Sequence, residues 1–93
     1  MRKTEYTSRF RRDLKRERRG VYRQVLQTEL NALLLLLQQD LPLPLRCRDH
    51  ALVGEWVDHR DCHVRPDLVL IYRKIGTDRL ELVRLGSHSE LQL

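Results

Sequence analysis

The 93 residues are enough for one domain and one core, and too few for two. A charged fraction of 33% beside 41% hydrophobic residues suits a globular fold and argues against wholesale disorder. The net charge of +5 is unevenly placed: residues 1–20 hold nine Lys or Arg against three acids, and residues 21–93 hold nine against ten. Such a near-neutral body with a basic arm attracts phosphate backbones or an acidic protein partner.

The opening MRKTEYTSRFRRD has no apolar stretch behind its basic residues, so no secretion leader is expected. Ala32–Leu37 (ALLLLL) is far shorter than the roughly 20 apolar residues a bilayer span requires, and predicts a buried helix face with no membrane role. Cys47 and Cys62 lack a metal-knuckle spacing and are expected as reduced thiols in the cytoplasm.

In chain order, Thr4–Thr7 predicts a short strand, and Thr7 or Ser8 the cap of a helix reaching about Arg19. Phe10 and Leu14 form its apolar stripe, while Arg11, Arg12, Lys15, Arg16, Arg18 and Arg19 cover the remaining faces. So narrow a stripe docks a surface helix by one edge. Gly20 is placed for a left-handed cap. A second helix is expected over Val21–Gln39, where Leu26, Leu30, Leu33, Leu34 and Leu37 recur at helical spacing. Asp40-Leu41-Pro42-Leu43-Pro44 stops it.

From Arg46 the texture changes to short strands: Arg48–Val53, His59–Val64, Leu68–Lys74 and Leu80–Leu85, with a turn at Gly76-Thr77-Asp78. Leu68–Tyr72 is an unbroken apolar run, suited to a strand buried on both faces. The tail GSHSELQL reads as short and polar. This order predicts a single α+β domain, two N-terminal helices on one face of a mainly antiparallel sheet of four to five strands.

Just before the apolar run, DCHVRPD places an imidazole and carboxylates at the mouth of the most buried strand. His50 starts one strand, His63 ends the next, Asp67 precedes the central one and His88 follows the last, so neighbouring strand ends bring them to one edge. Period two sets His59, Asp61 and His63 on one face, and Trp56, Cys62 and Val64 on the other. Arg84, near a strand end, either snorkels to the surface or aims into the site.

Imidazoles with carboxylates support two chemistries. One is zinc binding by His50, His63, His88 and Asp67, which no HExxH or CxxC spacing reinforces. The other is RNA cleavage without a metal or other cofactor, a 2′-hydroxyl attacking the adjacent phosphorus. Histidine suits both proton transfers because its pKa, about 6.5, lies near working pH. An arginine holds the charge that builds on the phosphoryl oxygens.

The segments LPLPLRCRDHALVGEWVDHRDCHVRPDLVLIYR and LELVRLGSHSEL resemble the YafQ branch of the RelE/ParE toxin superfamily. That branch reads LPLP, KDHxLxGxW, RDxHxxPDWxLIY and RxGxHxxLF in order. The resemblance implies a RelE-like fold and a ribosome-dependent mRNA endonuclease, the toxin of a toxin–antitoxin pair, acting without a metal in the ribosomal A site. It places the family's activity residues on His50, His63, Asp67, Arg84 and His88, with Arg84 facing the scissile phosphate. His88 becomes the general acid and His50 or Asp67 the base, with His63 and Arg84 stabilising charge. Arg11, Arg12, Lys15, Arg16, Arg18, Arg19 and Arg60 become the cations for rRNA, and the implied partners are the ribosome, its mRNA and an acidic antitoxin. The chain departs from the pattern at Leu68, where the family has Trp, and at Gln92, where it has an aromatic ring. A non-enzymatic ParE-like binder or regulator and a zinc-dependent hydrolase stay open as alternatives.

Overall fold

The apolar run at Leu68 is the middle of the molecule. In the computed structural model, which describes residues 1–93, it runs through a five-stranded sheet and is covered on both sides. The elements are β1 (Lys3–Tyr6), α1 (Ser8–Glu17), α2 (Leu26–Gln38), β2 (His50–Ala51), β3 (Arg60–Arg65), β4 (Leu68–Ile75), β5 (Arg79–Gly86) and α3 (His88–Leu91). Short 3-10 turns at Leu45–Cys47 and Gly54–Trp56 flank β2. The spatial order is β1-β5-β4-β3-β2, antiparallel throughout except for β1 beside β5. The α+β architecture is as expected, with the opening strand laid parallel to the last one. No helix is long and apolar enough to cross a membrane.

Alternation along β4 explains its composition. Leu68, Leu70 and Tyr72 face α1 and α2 and join Phe10, Leu26, Leu30, Leu33 and Leu37 in the main core. Val69 and Ile71 face the other way and pack with Leu91 beneath Leu52, Trp56 and Val83. Each such leucine contributes about 1.5–3 kcal/mol by leaving water, so a strand apolar at every position is useful only where both faces are covered. Cys47 and Cys62 lie in the main core as free thiols, and burial pushes both up.

Thr7 caps α1: its hydroxyl accepts from the Phe10 N–H at 3.0 Å and donates to the Val83 carbonyl at 2.8 Å, tying the helix start to β5. Helix boundaries differ from expectation in one place. Helix α1 stops at Glu17 and α2 starts at Leu26 rather than Val21. Between them the chain descends through three-residue turns, with Gly20 N–H on the Glu17 carbonyl and Arg23 N–H on the Gly20 carbonyl. Gly20 stays out of left-handed space, which these right-handed turns do not require. The strand expected over Arg48–Val53 shrinks to His50–Ala51 because Arg48, at φ 48°, turns the chain just before it. The polar tail instead forms α3, closed by a capping box in which Ser87 and Glu90 exchange hydrogen bonds.

Beyond Tyr6, β1 leaves the edge of β5, and α1 takes over its pairing with side chains. The Leu85 N–H donates to Asp13 Oδ2 at 3.0 Å, and the Leu85 carbonyl accepts from Arg16 Nη2 at 2.8 Å. Asp13, 4% exposed, also accepts from Arg84 and Arg16. Burial raises its pKa, but the hydrogen bonds from Arg84 and Leu85 and the two guanidinium charges outweigh that, and its carboxyl titrates below the usual range. A strand edge that would otherwise be open is satisfied without a sixth strand.

Candidate active site

The sheet face turned away from α1 and α2 carries the titratable groups. Register partners run His50–Asp61–Ile71 and His63–Val69 across β2, β3 and β4, so Asp61 and His63 sit two apart on one face of β3. Cys62 and Val64 point to the main core, as period two predicts. Trp56 does not follow them: it packs on the opposite cluster with Val69, Ile71 and Leu91, on the histidine side. The parity count fails because Trp56 lies in a 3-10 turn and Asp58, at φ 70°, redirects the chain before β3 begins.

His50, Asp61, His63 and His88 line one cleft of about 510 Å³ together with Arg48, Leu52, Val53, Trp56 and Leu93. The rings of His63 and His88 meet edge to face at 5.0 Å. Asp67, in the turn between β3 and β4, accepts from both the backbone N–H of His88 at 3.0 Å and its Nδ1 at 2.7 Å. Those two hydrogen bonds hold the exposed Asp67 carboxyl below its ordinary pKa. The capping box at the start of α3 fixes the backbone that presents His88, so turn and helix position one imidazole jointly.

At the other side of the cleft His50 Nδ1 lies 2.6 Å from the Arg48 carbonyl and 3.2 Å from Asp61 Oδ1. The carbonyl is the better-aligned acceptor, so Asp61 Oδ1 is buried without a hydrogen bond despite the nearby ring. Burial accordingly raises the Asp61 pKa, against the opposing charges of His50, His63 and His88. Burial also depresses His63, with the Asp61 carboxylate pulling the other way. Burial thus works against a protonated His63, the form a charge stabiliser would need.

Arg84 lies apart from the imidazoles in this structure. Its guanidinium donates to Asp13 at 2.7 and 3.2 Å, and it lines the adjoining cleft with Arg9, Trp56 and Glu90 rather than the histidine cleft. The cation that does reach the imidazoles is Arg48, exposed and without a side-chain partner, with Arg46 beside it next to His63 and His88. Sequence reading passed over Arg48 and Asp13. The first is marked only by its place beside the His50 strand, the second only as one of two acids on a basic helix.

Among the seven expected RNA-contacting cations the structure separates two groups. Arg11, Arg12, Lys15, Arg18 and Arg19 are exposed on and just after α1. Arg16 is committed to Asp13, Glu17, Glu90 and the Leu85 carbonyl, and Arg60 to Asp49, which Tyr72 also holds.

A family model for bacterial toxins of type II toxin–antitoxin systems, YafQ, matches residues 2–93. The chain belongs to the YafQ toxin family. An mRNA interferase toxin YafQ of Escherichia coli strain B is 38% identical over 88 residues, covering 94% of this chain and 91% of the relative. A YafQ described as a putative toxin, from Haemophilus influenzae, is 52% identical over 56 residues, but that match spans only 57% of this chain and 55% of the relative. Among solved structures, the toxin of the E. coli DinJ–YafQ complex superposes with a TM-score of 0.81 at 37% identity, over 98% of both chains.

Proposed function

We propose that the chain is an endoribonuclease, the toxin of a type II toxin–antitoxin pair, which cuts messenger RNA in the ribosomal A site without a metal. The 2′-hydroxyl attacks the adjacent phosphorus and the bond to the 5′ oxygen breaks, leaving a 2′,3′-cyclic phosphate and a 5′-hydroxyl. The observation that carries this reading is the convergence of His50, His63 and His88 on one cleft beside Arg48.

The hydrogen bonds support a division of labour. His50 Nδ1 faces acceptors only, the Arg48 carbonyl and the Asp61 carboxylate, so it carries the hydrogen and leaves Nε2 with a lone pair. That nitrogen suits the general base. His88 Nδ1 lies 2.7 Å from the Asp67 carboxylate, which fixes the ring and leaves Nε2 as the nitrogen for the departing oxygen. Asp67 is then a positioning residue, not a base. Neutral His63 offers a hydrogen bond, and Arg48 offsets the charge growing on the phosphoryl oxygens.

The exposed cations of α1 suit rRNA phosphates, and equally an acidic antitoxin; the E. coli YafQ forms a toxin–antitoxin complex with DinJ. A ParE-like binder would have no need of the His88–Asp67 bond. The test is primer extension on messages carried by translating ribosomes that keep their magnesium, using toxin stripped with EDTA and then freed of it, with the 3′ ends of the upstream fragments analysed separately. Cleavage by the stripped toxin, leaving cyclic-phosphate 3′ ends, is expected. Intact message, or cleavage that stripping abolishes and zinc restores, overturns the proposal.

A further inference from the structure

Resting on that reading, we infer that Trp56 is the base-stacking residue of the site, the ring against which a nucleobase next to the cut phosphate lies. Apart from imidazoles, Trp56 is the only aromatic side chain lining the cleft that holds His50, His63 and His88. It also lines the neighbouring cleft with Arg9, Arg84, Glu90 and Gln92, so the indole forms the wall between the two. A strand of RNA with its phosphate at the histidines has this wall as its nearest flat apolar surface.

The indole is built as a platform rather than left as a loose surface ring. One side packs on the cluster of Val69, Ile71 and Leu91, and His59 meets the ring edge to face at 5.4 Å. The loop that carries it is closed at its base by the Leu52 N–H on the His59 carbonyl at 2.9 Å. Val57 N–H on Gly54 and His59 N–H on Trp56 brace it from within. Gly54 sits at φ 68°, a conformation other residues adopt only with strain, and this turn swings Trp56 toward the cleft. A ring held on one face and open to a cleft on another offers stacking at little entropic cost.

Stacking on an aromatic ring tolerates every base, with preference set by stacking strength, so Trp56 tunes affinity and purine preference rather than reading hydrogen bonds. It supplies this chain with a ring that Gln92, in left-handed conformation at the end of α3, does not.

The experiment compares wild type, Trp56→Phe and Trp56→Leu on ribosome-bound messages that vary the bases flanking the cut. Trp56→Leu is expected to lose about five- to a hundredfold in kcat/KM, mostly through KM, and to flatten the base preference at one position. Trp56→Phe keeps most of both. Wild-type kcat/KM and preference in Trp56→Leu overturn the inference, as does equal impairment in Trp56→Phe. Because this is the chain's single tryptophan, its fluorescence gives a readout that needs no variant and survives misfolding of Trp56→Leu. Titration with a 2′-O-methyl trinucleotide, whose attacking hydroxyl is blocked, quenches the emission saturably. Nuclear magnetic resonance shifts at His63 and His88 without quenching show a nucleotide that avoids the indole and overturn the inference while the nuclease reading stands. A wild type that leaves every message whole removes the reading itself.

Discussion

Asp13 and Arg84 stand 71 positions apart and meet through hydrogen bonds of 2.7 and 3.2 Å, joining α1 to the last strand. Breaking a buried pair leaves an uncompensated charge and costs about 3–5 kcal/mol. Asp13→Ala is expected to lower stability in urea by that order, and to weaken packing of α1 while leaving the histidine cleft formed. A loss below about 1 kcal/mol would show that solvent reaches the pair and screens it.

Acid should act through the same carboxyl. A folded-state pKa held below the unfolded value adds stability above that unfolded value, near 4, and loses it as pH falls through the folded one. The difference in unfolding free energy between wild type and Asp13→Asn should therefore shrink steadily below about pH 4. An unchanging difference between pH 7 and pH 2 contradicts the depressed pKa.

Asp61 carries the opposite sign. Its pKa is raised by burial, so it favours folding at low pH and penalises folding as pH rises through the raised value. Asp61→Asn should remove that penalty, so the variant gains on wild type as pH rises. The His63 pKa, which the Asp61 carboxylate lifts, should fall further in an imidazole titration by nuclear magnetic resonance. An unmoved His63 would separate the two groups electrostatically.

At the proposed acid, His88→Ala should lower the cleavage rate by about 10²–10⁴. Asp67→Asn should cost about tenfold to a hundredfold, the worth of one charge-assisted hydrogen bond. Because Asp67 is largely exposed, its variant should melt almost like wild type. Equal kinetics in Asp67→Asn and wild type would remove Asp67 from positioning His88.

Cations of α1 divide into two experiments. Reversing Arg11, Arg12, Lys15 and Arg19 should weaken ribosome binding and flatten its salt dependence with little change in melting. Reversing Arg16 should destabilise the fold, since it serves Asp13, Glu90 and the Leu85 carbonyl. Indistinguishable behaviour of the two variants would return Arg16 to the solvated group.

The strand segments and the gathering of His50, His63 and His88 were legible because alternation and turn residues are local signals, and antiparallel pairing then aligns strand ends. What was illegible needed either distance or a break in periodicity. Nothing near Asp13 announces a partner 71 positions away, and the tie between Arg84 and that acid lies outside anything spacing could show. Counting by twos through Asp58 put Trp56 on the wrong face. The Ser87 and Glu90 spacing did signal a helix start, in a tail that composition alone marked as irregular.

Arg16 Nε lies 3.1 Å from Glu90 Oε2, and a side chain added at Gly86 would press on both, 2.9 Å from Arg16 Nη2 and 3.1 Å from Glu90 Oε1. Position 86 is thus the tight pivot where the basic helix is buttoned to the short turn bearing His88. Any side chain there would have to push the Arg16–Glu90 ion pair aside, so glycine is what lets the basic helix and the turn bearing His88 meet at this point.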